Sequence, residues 1–171
     1  MNIVIESDRE LIEGFLPCIV SVAQFPHRIV TARYQFTWES DALFDEANTS
    51  EIVPIYHALF DKLGLRSIDS SHEWSELSLR AARYLVYKHV RQSQAYGTEL
   101  RTDADAQATT AFIAPDMQHT RFFSNHDVIE RDGAIVNYVC PGDQLTDHTF
   151  EFGIVTIRPK SLVLFLTCDE D

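Results

Sequence analysis

Between residues 28 and 38 the chain alternates with a period of two. Val30, Ala32, Tyr34, Phe36 and Trp38 fall on one side, and Ile29, Thr31, Arg33, Gln35 and Thr37 on the other. That spacing predicts a strand with one buried face and one mostly wet face. Two shorter apolar runs, residues 2–5 and 18–24, predict strands as well. Residues 24–27 suit a hairpin connection into the long strand. Between the short runs, Ser7 stands three residues before Glu10, the pattern of a capping box, and predicts a short helix over about 8–15.

The middle of the chain changes to helical spacing. Ser40 or Asp41 can open a short turn over 41–47. Thr49 or Ser50 can cap a helix over about 51–63, with Ile52, Ile55, Tyr56, Leu59, Phe60 and Leu63 on its apolar side and Gly64 as its stop. Ser70 or Ser71 then predicts the start of a long helix over about 73–93. On that helix Leu79, Ala82, Leu85, Val86, His89 and Val90 share one face, which is assigned to the core.

After residue 108 the period returns to two. Strands are expected over about 110–114, 119–124, 127–131, 134–140, 148–157 and 161–167. Asp132-Gly133 is a two-residue hairpin signal. The run SLVLFLT from Ser161 is continuously apolar, as for a central strand covered on both faces, and the final DED reads as a polar tail. The fold class is therefore α+β. A largely antiparallel sheet is formed from both ends of the chain, and a helical insert (about 41–95) packs on one face. Strand and helix do not alternate, so a doubly wound nucleotide fold is excluded from the expectation. The 171 residues suit a single domain over 1–171.

Charge changes this picture. There are 26 acids against 14 bases, a net charge of −12. Such an excess works against non-specific binding to nucleic acid or anionic membranes and favours a basic partner. The distribution is uneven. Residues 1–79 carry a net −8, residues 80–101 a net +4 and residues 102–171 a net −8. No run approaches the ~20 apolar residues of a membrane helix, and the acidic start has no secretory pattern. Cys18, Cys140 and Cys168 are odd in number and lack CxxC spacing. The plain expectation is a cytoplasmic protein with buried free thiols and no cofactor.

Five groups of residues are candidates for function. The cationic island places Arg80, Arg83, Tyr84, Tyr87, Lys88 and Arg91 opposite the apolar face of the long helix, as a phosphate or nucleic-acid surface would. Its plainer reading is a solvated face paired with acids such as Glu73 and Glu76. His119, His126 and His148, with Asp127 and Asp147 beside two of them, can supply a metal site or a histidine-dependent hydrolase, although their spacing fits no metal motif. Cys140 with His148 is conceivable as a thiol–imidazole pair, against the plainer reading of a packed cysteine. His89, centred on an apolar face, reads first as a buried histidine bonded to a backbone group or hydroxyl.

The acidic loops are the last group. Glu39, Asp41, Asp45 and Glu46 gather in one loop and Asp103 and Asp105 in another, with Trp38 as a possible aromatic anchor. No GxSxG, SxxK, HExxH, GxGxxG or GxxxxGK[ST] occurs. The leading expectation is thus a small acidic binding protein, an inhibitor or immunity-type protein that covers a basic toxin or nuclease. A histidine- or metal-dependent hydrolase and a phosphate- or nucleic-acid-binding module stand behind it.

Overall fold

The computed structural model describes residues 3–4, 28–36, 60, 74–139, 145, 149–158 and 161–169. Among the described residues there are ten elements: β1 (Ile3–Val4), β2 (Arg28–Phe36), β3 (Ser75–Leu77), α1 (Leu79–Arg91), α2 (Asp103–Ile113), β4 (Arg121–Ser124), β5 (Asp127–Arg131), β6 (Ala134–Val139), β7 (Phe150–Arg158) and β8 (Ser161–Asp169). Six strands form one antiparallel sheet in the order β1-β2-β8-β7-β4-β3, and β5 with β6 forms a separate hairpin. The class is α+β, and the sheet draws on both ends of the chain, as the hydrophobic pattern predicts.

The centre of the sheet is β7 against β8, paired over nine residues from Phe150↔Asp169 to Arg158↔Ser161. Their apolar residues leave no solvated face. Phe152, Ile154, Val163 and Phe165 share the core cluster with Leu77 and Phe122 and with Leu85, Val86 and Val90 of α1. Gly153, Leu164 and Leu166 alternate with those residues and so belong to the opposite face. That face is buried too, and Trp74 packs on it with Phe60 at a ring-centre separation of 5.0 Å. Burying one such leucine fully contributes about 2 kcal/mol.

Gly153 lets Trp74 approach. A Cβ at this position would lie 2.6 Å from the Trp74 ring, and Trp74 is itself buried. Gly153→Ala should therefore lower stability by about 1–3 kcal/mol through overpacking, read as a fall in the denaturant midpoint.

Helix α1 starts at Ser78, whose Oγ accepts from Ala81 N at 3.1 Å. The expected start near residue 73 is corrected, because residues 75–77 pair with β4 as a strand. Glu76 consequently does not reach along a helix to Arg80. Its carboxylate accepts from Arg121 Nε at 2.7 Å. Of the expected core face, Ala82, Leu85, Val86, His89 and Val90 are buried, and Leu79 is half-buried against the core.

A second correction concerns residues 103–113. The expected strand at 110–114 is helical, and the expected acidic loop at Asp103 and Asp105 is the first turn of α2. Thr102 caps it, its Oγ1 accepting from Asp105 N at 3.2 Å, and the two acids favour the positive end of the helix dipole. Ala106, Thr109, Thr110 and Ile113 are its buried stripe.

The Asp132-Gly133 turn is as predicted. Their φ values of 50° and 70° put both residues in the left-handed region that a two-residue hairpin of this type needs. Val136 is the extra residue of a bulge between the Ile129↔Asn137 and Glu130↔Ile135 pairs. Asp169, expected in a polar tail, ends β8 and is buried. Its Oδ2 accepts from Ser93 Oγ at 2.6 Å and from Ala95 N at 3.1 Å, which ties the segment after α1 to the sheet. The elements expected over 8–15, 18–24 and 41–47 lie outside the described residues, as does the 51–63 helix apart from a helical, buried Phe60.

Candidate functional site

The chain leaves the main sheet at Ser124 and enters the hairpin at Asp127. The corner between them, Ser124-Asn125-His126, is buried. Ser124 Oγ donates to Gly153 O at 2.8 Å and accepts from His126 N at 3.1 Å. Asn125 is the hub. Its Oδ1 accepts from Gly153 N at 2.9 Å, and its Nδ2 donates to Glu151 Oε1 at 3.1 Å. Glu151 Oε1 also accepts from Leu145 N at 2.8 Å.

This network determines the His126 tautomer. Asn125 Oδ1 already accepts from a backbone N–H, so His126 Nδ1, 2.9 Å away, is the donor to it. The lone pair of the neutral ring is then on Nε2. Burial pushes the His126 pKa down to about 4, with Asp127 opposing that fall. His126 is neutral at pH 7.

His89 comes from α1 and meets His126 with a ring-centre separation of 5.3 Å. It stacks on Phe152 at 4.4 Å and 17°. Tyr138 of β6 lies 5.6 Å from His89 and 5.5 Å from His126. Burial holds the His89 pKa well below its ordinary value, and His126 and Lys88 add to this. The expected hydrogen bond from His89 to a backbone or hydroxyl group is not formed at Nε2, which is buried without a partner.

The two imidazoles border a cavity of about 270 Å³ that also reaches Tyr138 and Glu151. Gln94, Thr149 and Phe150 complete its wall. Two sides of the cavity thus come from elements distant in sequence: α1 and the β4–β5 corner on one hand, the start of β7 on the other. A locked, neutral imidazole bordering a cavity can accept a proton or a hydrogen bond there.

The other expected residues fall elsewhere. His119 is exposed and sits at φ 55° before β4. Asp127 accepts from Ser75 Oγ, which anchors the hairpin to β3. Among the described residues, no group of three or more His, Cys, Asp or Glu side chains could hold a metal ion. His148, Cys140, Cys18, Trp38, Glu39, Asp41, Asp45 and Glu46 lie outside the described residues. Cys168 is a buried free thiol.

The cationic island is largely engaged within the fold. Arg91 Nη1 donates to Asp103 Oδ1 at 2.8 Å and to Tyr87 Oη at 2.9 Å, and Arg91 Nη2 lies 3.2 Å from Glu99. Asp103 also accepts from Tyr87 Oη and from Gln107 Nε2. Arg83 Nε donates to Ala114 O at 3.0 Å. Lys88 Nζ rests 4.5 Å from the Tyr138 ring centre, and Tyr84 meets the same ring edge-on. Arg80 Nη1 lies beside Gly133 at the hairpin turn. Asp105 is held to Thr102.

Sequence reasoning named both histidines separately. It missed Asn125, Glu151 and Tyr138, which carry no local signature and meet only when β4 pairs with β7 and the hairpin folds back. Comparisons with protein-family models, with curated proteins and with solved structures find no match. Among the described residues, no helix is long and apolar enough to cross a membrane.

Proposed function

We propose that this chain is a small acidic binding protein whose partner is basic, acting as an inhibitor or immunity-type protein on a toxin or nuclease. The observation that carries this reading is the fate of the cationic island. Its side chains turn to α2, to the hairpin and to each other, and Arg91 alone draws on two acids and a tyrosine. That engagement counts against a nucleic-acid face. Meanwhile 26 acids face only 14 Lys and Arg, so one-to-one pairing within the chain leaves a dozen acids over. A surplus of that kind steers a basic partner into contact and speeds its association.

The test is capture of the tagged protein from its own cells at low salt, read by mass spectrometry. One stoichiometric basic protein is the expected result. A stoichiometric acidic protein or a nucleic acid in its place would contradict the reading.

One observation favours a second reading, a histidine-dependent hydrolase. His126 is held in the tautomer a general base needs, and it borders a cavity. Under that reading, ester or phosphoester turnover should vanish in His126→Gln.

A further inference from the structure

We propose that the β5–β6 hairpin is a pH-sensitive flap, released from α1 when His89 and His126 beneath it take up protons, while the six-stranded sheet stays paired. The hairpin is a separate unit. β5 and β6 pair with each other, and among the described residues neither joins the main sheet. Val128, Ile135 and Tyr138 pack on the core as half-buried side chains. Beyond that packing, Asp127 accepts from Ser75 Oγ, and Glu130 accepts from Ser78 Oγ at 2.7 Å in an exposed position. Tyr138 is the centre of the contact. Its ring meets both imidazoles and also Tyr84 and Lys88 of α1.

The ground beneath Tyr138 is intolerant of positive charge. His89 and His126 are both buried with ring centres 5.3 Å apart, so a proton on one disfavours a proton on the other. Phe152 of β7 stacks on His89 and meets His126 edge-on, and Lys88 of α1 repels a proton from His89. Three carboxyl groups face the pair: Asp127 on β5, Glu151 on β7 at the shared cavity, and Asp169 on β8 beside His89. Among the described residues, none of them is hydrogen-bonded to either ring, and burial outweighs Asp127 at His126. Lifting the hairpin takes Tyr138 off both rings and returns them to water, where charge costs little. Protons therefore favour the lifted form. At pH 5 an imidazole held at about 4 when docked and near 6.5 when released shifts this opening by roughly thirtyfold. The sheet loses no pairing in the step, and β7 stays on β8 over nine residues. A lone two-stranded hairpin is marginal in water, so its own ladder loses protection once it lifts.

Amide hydrogen exchange of the intact protein tests this, followed residue by residue at pH 7 and pH 5 and divided by the intrinsic rate at each pH. Small steps of urea below the unfolding transition separate local from global opening, since a small opening barely responds to denaturant. Protection over residues 127–139 should fall at least roughly tenfold from pH 7 to pH 5 and depend weakly on urea. Amides of β7 and β8 should stay at least roughly a hundredfold better protected than the hairpin at pH 5 and depend strongly on urea. The double variant His89→Phe with His126→Gln keeps a ring against Phe152 and an amide N–H for Asn125, without a titrating group at either place. Its hairpin protection should be equal at the two pH values. Hairpin protection indifferent to pH in the wild-type protein would overturn the proposal, whether or not the variant folds. So would hairpin and sheet amides that share one opening and one urea dependence, because flap and sheet would then open together. A pH response that survives in the double variant would overturn it as well, since other groups would be driving the release.

Discussion

Asn125→Ala should lower the stability of the fold by about 2–5 kcal/mol, because it strips the partners from two buried donors at once. Gly153 N–H and His126 Nδ1–H both end on Asn125 Oδ1, and Glu151 Oε1 loses the Asn125 amide while keeping Leu145 N. Each orphaned buried group costs about 1–3 kcal/mol. Asn125→Asp should not rescue the loss. It restores the acceptor but sets a second carboxylate against Glu151. Chemical denaturation at pH 7 reads both variants. A loss below about 1 kcal/mol for Asn125→Ala would mean that the corner is not the hub described here.

Acidification should destabilise the protein well before its carboxylates titrate. The folded-state pKa of His126 lies at about 4 against an ordinary value of 6.5, and His89 is lowered in the same direction. The unfolded chain therefore binds these protons first. The contribution of neutral histidine is fully present above about pH 6.5. It is lost as the pH falls toward the folded value, at up to about 1.4 kcal/mol per unit for each imidazole. For His126 the total by pH 4 is roughly 3 kcal/mol. Denaturant midpoints taken between pH 7 and pH 5 should fall steadily, and His126→Gln should flatten that slope. A midpoint independent of pH in this window would show that the imidazoles titrate normally.

The parts of this fold that were legible in the sequence are those where one strong local pattern acted alone. The alternation of residues 28–36, the apolar run of β8 and the Asp132-Gly133 turn each specify their structure without tertiary help. Helix α2 was misread for a physical reason. Its buried stripe is Ala106, Thr109, Thr110 and Ile113, which has helical spacing but little hydrophobic contrast. The β-branched residues Thr109 and Thr110, followed by Phe112 and Ile113, gave a stronger strand signal than the stripe gave a helical one. Tertiary packing and the Thr102 cap decided the matter.

The acids Asp103 and Asp105 show the same limit. As sequence they look like a loop available to a partner. In the fold they lie in the first turn of α2, which Thr102 caps, and Asp103 also accepts from Arg91 and Tyr87. The site was legible only in fragments. His89 marks itself by breaking an apolar helical face, and His126 by its place beside a strand. The Asn125–Glu151 link that orients His126 spans 26 residues and depends on β4 pairing with β7. No local spacing rule reaches that far.

The central proposal is that the acidic surplus of this chain steers a basic partner into contact. The most direct measurement is the rate at which the purified protein associates with the protein it captures in its own cells, taken at low and at near-physiological salt. A basic partner that forms a one-to-one complex, and whose association slows at least roughly tenfold over that range, is the predicted result. A captured partner without excess positive charge, or an association rate indifferent to salt, would contradict it.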